Sequence, residues 1–162
     1  MPSFDIVSKI DLQKLDNAIN VARKEISTRY DFYNSGTEIE FNKKDLNIHV
    51  VTDNEMRMKA IADILISRSV KQGIDTTCFD FGKDLYAAGA MVKKDVKVRQ
   101  GIEKEMAKKI VRSIKETGFK VQASIMDDQV RVTGKKIDDL QQVITAVKKE
   151  EFGIPLQFEN FR

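Results

Sequence analysis

The chain has 162 residues, 41% of them hydrophobic and 33% charged, with a formal net charge of +3. That is room for one ordinary domain or two small ones with a packed core, so a folded, soluble protein is expected. No run approaches the ~18 to 20 apolar residues that cross a bilayer, and MPSFDIVSKIDL at the N-terminus has no basic stretch leading into a long apolar one, which points to a cytoplasmic location. One cysteine, Cys78, and one histidine, His49, exclude an internal disulfide and a His/Cys zinc cluster, and no metal or cofactor is called for.

Apolar spacing divides the chain into elements. Residues 3–8 alternate Phe4 and Ile6 with polar neighbours and read as a short strand. Asp11 caps a predicted helix with Leu12, Leu15, Ile19, Ala22 and Ile26 on one face, ending near Thr28. Residues 37–41 and 46–51 flank the turn NKKD, which predicts a hairpin with Ile39, Phe41, Ile48 and Val50 inward. Asp53 or Asn54 caps a second helix through Met58, Ile61 and Leu65 to Lys71, and Gly73 ends it. A strand over residues 76–81 closes this series.

The series then repeats. Residues 90–99 read as a strand, and residues 101–117 as a helix with Ile102, Met106, Ile110, Val111 and Ile114 on its buried side, ended by Gly118. A hairpin follows, with Val121, Ala123 and Ile125 in one strand, Asp127 and Asp128 at the turn, and Val130 and Val132 in the other. A helix carrying Ile137, Leu140, Ile144 and Val147 leads to a last strand in 155–161. Both halves read β-α-β-β-α-β, the split βαβ order of ferredoxin-like and RNA-recognition folds, with two helices on one face of a four-stranded antiparallel sheet. The expected class is α+β, two ferredoxin-like βαββαβ sandwiches in tandem.

Such sheets leave one face open. An RNA-recognition domain sets aromatic rings on that face of its central strands, where unpaired bases stack. The outward positions expected here are Asn47, His49 and Val51 in one hairpin and Gln129, Arg131 and Thr133 in the other, and they form no aromatic platform. Phe79, Phe81, Phe158 and Phe161 fall on flanking strands or the tail and read as core or interface residues. Topology alone therefore does not imply sequence-specific RNA reading.

Charge is more informative. Residues 1–92 hold 12 Lys/Arg and 14 Asp/Glu, whereas residues 93–162 hold 16 and 11. Residues 93–120 alone carry ten basic side chains against Asp95, Glu103, Glu105 and Glu116, which makes this segment the best place to meet a polyanion. Lys97 and Arg99 occupy alternate outward strand positions. Lys104, Lys108, Arg112 and Lys115 then recur at intervals of four, four and three, forming one stripe along the following helix. A solvated helix side explains such a stripe as readily as a surface that grips phosphates.

The turn Gly134-Lys135-Lys136 lacks the G-x-x-x-x-G-K-[ST] spacing of a Walker loop, because residues 128–133 form a strand and supply no first glycine. A helix N-terminus beside two lysines could still hold one phosphate. No catalytic set stands out: His49 has no nucleophile paired with it in sequence, and Cys78 lies in an alternating strand where a buried thiol is expected. A non-enzymatic protein is the expectation.

MPSFDIVSKIDL, ISTRYDF at 26–32, RQGIEKEMAKKIVRSIKETGFKVQASI from Arg99, DDQVRVTGKKIDDLQQVI and the end PLQFENFR together closely resemble the YajQ family of bacterial proteins, also called UPF0234, over essentially the whole chain. Residues 42–92 depart most. The resemblance implies two ferredoxin-like domains that exchange first strands, one made of residues 9–100 and the other of residues 1–8 with 101–162. It also implies a cytoplasmic nucleotide-binding protein, taking purine nucleotides and tRNA in some members and cyclic di-GMP in members that act as transcriptional effectors through a regulatory protein partner. It offers no short nucleotide motif, so the candidate phosphate contacts come from charge alone: Lys97, Arg99, Lys104, Lys108, Arg112 and Lys115, with Arg131, Lys135 and Lys136 if they share that side.

Overall fold

The structure, a computed structural model, describes residues 1–162. In chain order the elements are β1 (Ser3–Val7), α1 (Leu12–Thr28), β2 (Glu38–Asn42), β3 (Asn47–Thr52), α2 (Glu55–Lys71), β4 (Phe79–Asp80), β5 (Tyr86–Ala88), β6 (Met91–Val98), α3 (Lys104–Glu116), β7 (Val121–Met126), β8 (Gln129–Gly134), α4 (Ile137–Lys149) and β9 (Gln157–Glu159). Contacts divide them into two units, residues 10–99 and residues 1–9 with 100–162.

Local chemistry accounts for the helix ends. The Asp11 carboxylate accepts from the Gln13 and Lys14 N–H groups, which would otherwise be unpaired in the first turn of α1. Asn54 rather than Asp53 caps α2, accepting from the Arg57 N–H, while Asp53 pairs with the Arg57 side chain. Gly73, at φ +79°, ends α2: its N–H donates to Val70 and that of Ile74 to Ser69, the paired closure that a left-handed residue allows.

The sheets are where distant segments meet. One has the order β7-β8-β1-β9, the other β2-β3-β6-β4 with β5 also paired to β6. In each, the strand that opens the βαββαβ series lies in the middle, beside the third and fourth, as the ferredoxin-like order requires. The opening strand is β1 for the sheet of residues 100–162 and β6 for that of residues 10–99. The chain thus lays its N-terminal strand against β8 and β9, with Asp5 opposite Arg131 and Glu159, and inserts β6 between β3 and β4. First strands are exchanged.

Each unit has its own core. Leu15, Ile19, Ile48, Ile61, Leu65 and Val96 are among its fully buried members in residues 10–99. In the other unit Phe4 and Ile6 of β1 pack with Ile110, Ile114, Val130 and Val132. Phe158 and Phe161 place their rings 5.9 and 5.8 Å from that of Phe4, and Phe79 and Phe81 pair at 5.8 Å.

Several boundaries differ from the sequence reading. The strand expected over residues 76–81 is reduced to β4, because the Asp75 side chain accepts from the Thr77 N–H and closes a 3-10 turn over Thr76–Cys78. The helix expected from Gly101 begins at Lys104: Gly101 stands at φ +81° with its N–H donated to the Ser8 carbonyl, and the Ile102 N–H goes to Asp128. The last strand holds only three residues, and β5 was not legible as a strand.

Removing the ring of Phe4 leaves a cavity between β1 and the helices of residues 100–162. Phe4→Ala is expected to cost about 3 to 5 kcal/mol, and hydrogen exchange followed by mass spectrometry should show protection falling first in residues 100–162, although the substitution lies near the N-terminus.

Candidate functional site

The amphipathic pattern of α3 decides which of its side chains are free. Ala107, Ile110 and Ile114 turn into the core, which sends Lys104, Lys108, Arg112 and Lys115 to the exposed side. None of the four makes an ion pair within 4.0 Å, so the stripe is a row of exposed, unpaired cations along the 13-residue helix. Its surroundings are uneven. Arg112 also borders a shallow cleft with Lys109, Ser113, Glu116, Glu150 and Glu151, and Ser113 donates to Glu150. Three carboxylates temper the field there, and at the other end of the stripe the exposed Glu103 and Glu105 flank Lys104.

The other candidates behave differently. Lys97 is exposed on β6 and pairs across the sheet with Asn47 and Asp80. The Arg99 guanidinium donates to the Thr77 carbonyl at 2.9 Å and lies 3.9 Å from Asp80, so it fastens the segment around β4. Both belong to the unit of residues 10–99, whereas the α3 stripe belongs to the other. Lys135 and Lys136 are exposed at the β8–α4 turn, but Asp138 and Asp139 fill the first turn of α4 and already complement its dipole. Gly134 is not a phosphate cradle. Its N–H donates to the Pro2 carbonyl, and a Cβ on it would meet Val121 at 3.1 Å and Leu140 at 3.3 Å, so the glycine serves close packing.

Arg131 is committed as well. Its Nε donates to Asp5 Oδ1 at 3.0 Å, and the Asn160 amide donates to Asp5 Oδ2 at 2.9 Å, around a carboxylate only 2% exposed. Burial pushes the Asp5 pKa up, yet the hydrogen bonds from Arg131 and Asn160 outweigh it and hold the group below its ordinary value of 3.8.

On the equivalent face of the other sheet, His49 Nδ1 lies 2.7 Å from Asp95 Oδ1, and the Asn47 amide donates to the same oxygen at 3.1 Å. The hydrogen bond to His49, followed by that from Asn47, holds the Asp95 carboxyl below the usual aspartate range. His49 is thus held by a cross-strand carboxylate. Cys78 is fully buried, and burial, with Asp75 nearby, pushes its thiol up to about 12, far from a nucleophilic thiolate at neutral pH.

One residue escaped the sequence reading. The side of β6 facing the helices runs Val92, Lys94, Val96, Val98, with Lys94 opposite Val50 of β3. A lysine in the core-facing register of an otherwise hydrophobic row was readable as a break in the alternation.

Two βαββαβ sandwiches with exchanged first strands define an α+β protein of two ferredoxin-like units. The chain belongs to the YajQ-like family: the family described as "Nucleotide-binding protein YajQ-like" matches residues 2–162. A "Nucleotide-binding protein" of Cytophaga hutchinsonii is 57% identical over 162 residues, covering all of both chains. Proteins of the same description from Geotalea daltonii and Nitratidesulfovibrio vulgaris are 53% and 51% identical over the whole of this chain and 99% of theirs. No helix is long and apolar enough to cross a membrane.

Two consequences can be measured. Because the folded pKa of Asp5 lies below its unfolded value, its ionised form contributes stability that is present above about pH 3.8 and is lost as pH falls through the folded pKa. Arg131→Ala should therefore lower the urea midpoint at neutral pH, and the penalty should shrink towards acid as Asp5 protonates. Cys78 should react with Ellman's reagent only after denaturant is added; rapid modification of the native protein would contradict its burial.

Proposed function

We propose that this protein is a non-enzymatic nucleotide-binding protein, taking purine nucleotide or the phosphate backbone of tRNA on the basic edge led by Lys104 and Lys108. The observation that carries the reading is the row of exposed cations on α3 with no carboxylate within 4.0 Å. Its relatives' description as nucleotide-binding proteins supports the ligand class. Side chains spaced one helical turn apart sit about 6 Å from one another along the axis, so successive phosphates of a strand, rather than one compact phosphate, match the stripe.

Cyclic di-GMP is the alternative ligand, through which the protein would act on a regulatory partner. Gripping it calls for arginines that pair with phosphate and with guanine edges. Of the candidate arginines, Arg99 and Arg131 are engaged with Asp80 and Asp5, which leaves Arg112 and favours the backbone reading. Calorimetric titration with cyclic di-GMP beside GTP separates the two, and equal or tighter binding of tRNA supports the first.

Lys104→Glu, Lys108→Glu and Arg112→Glu together should weaken tRNA binding more than about tenfold and flatten a salt dependence whose log–log slope is about −3 for the native protein, while the thermal melt hardly moves. Unaltered affinity in the triple variant would sink the reading.

A further inference from the structure

In the unit of residues 10–99, α2 does not seal against its sheet along its whole length. A cavity of about 150 Å³ opens there, between Met58 and Ala62 of α2, Val50 of β3, and Phe81 and Leu85 of the β4–β5 connection. Its lining is almost entirely apolar except for Glu55, Lys59 and Lys94. Glu55, Lys59 and Ala62 follow one another at helical spacing, so one stripe of α2 runs from the charged part of the lining into the apolar part. An apolar cavity of about this size accepts a flat aromatic ring.

Lys94 gives the cavity its chemistry. It stands opposite Val50 in the core-facing register of β6, half-buried, and neither it nor Lys59 has an ion-pair partner within 4.0 Å. Two lysines therefore stand against one carboxylate, Glu55, in the lining, and that positive balance favours an incoming anion. Pockets that join an apolar slot to a few convergent polar groups are the usual form of small-ligand sites.

The geometry points to a mononucleotide site in this unit, with the base inserted beside Met58 and Phe81 and its phosphate held by Lys94 and Lys59. The assignment rests on the reading that the protein binds nucleotides, but not on the α3 stripe. The cavity takes a ring and one phosphate group, while the stripe takes a backbone, and they lie in different units.

Titration calorimetry of the full chain with GMP and with guanosine tests it, together with methyl NMR of Met58 and Leu85. One GMP per chain should bind and shift both methyl groups. Ala62→Leu fills the cavity without changing charge and should weaken GMP about tenfold or more; Lys94→Gln should do the same to GMP while leaving guanosine nearly unaffected, the loss of one charge-assisted phosphate contact. An unchanged circular-dichroism spectrum and thermal melt of both variants shows that they fold. The triple α3 variant should bind GMP as the native protein does. GMP affinity indifferent to Ala62→Leu and Lys94→Gln, or lost in the α3 variant, overturns the site. Failure of GMP to bind the native protein overturns it too, and tRNA binding that persists in that case leaves the stripe reading standing.

Discussion

An antiparallel sheet that lacks a central strand has two raw edges where its hydrogen bonds should be. In residues 100–162 those edges are β8 and β9, and neither pairs with the other. β1 fills the gap, bonding to both neighbours and bringing Phe4 and Ile6 into the core between the sheet and α3 and α4. Backbone groups buried without partners are costly, so this unit cannot close before the N-terminus has arrived. The same holds for residues 10–99, where β6 joins β3 to β4. Exchange of first strands is therefore a condition of folding for each unit.

The exchange also sorts the charged side chains. Asp5 is carried into the sheet by β1, and a buried carboxylate needs donors, which it takes from Arg131 and Asn160. Arg99, just beyond β6, is drawn to Thr77 and Asp80. These arginines are consumed by architecture. The lysines of α3 face no such demand, because the buried side of the helix is satisfied by Ala107, Ile110 and Ile114, and they remain available to an anion. In the other unit Lys94 is a cation without an ion-pair partner that is turned towards the helices rather than away from them. In the two readings proposed above the two kinds of cation suit different parts of a nucleotide ligand: the exposed row would meet a chain of phosphates, and the half-buried lysine beside an apolar slot one phosphate with its base.

Much of the architecture was legible because it is periodic. Leu15, Ile19, Ala22 and Ile26 repeat at helical spacing, and Ile48 and Val50 alternate as a half-buried strand does, so type and order of the elements followed from burial preferences alone. The departures lie where a single side chain competes with the backbone pattern. Asp75 turned an expected strand into a 3-10 turn, and Gly101 delayed α3 until Lys104. The stripe of Lys104, Lys108, Arg112 and Lys115 was legible for the same periodic reason, since a helix with one buried side must present the other.

What the amino-acid sequence determined by itself is the local part: helices, hairpins, caps and the charge of each helix side, all set by residues within a turn or two of one another. Which strand completes which sheet depends on pairing between segments distant in the chain, as Phe4 with Val132 and Asn47 with Lys97, and spacing along the chain carries no record of it. The same long-range pairing decided that Arg131 is bound to Asp5, that Gly134 is a packing residue with its N–H given to Pro2, and that Lys94 lies against a cavity. Free and engaged cations look alike in a sequence because the partner that distinguishes them arrives only when the chain folds.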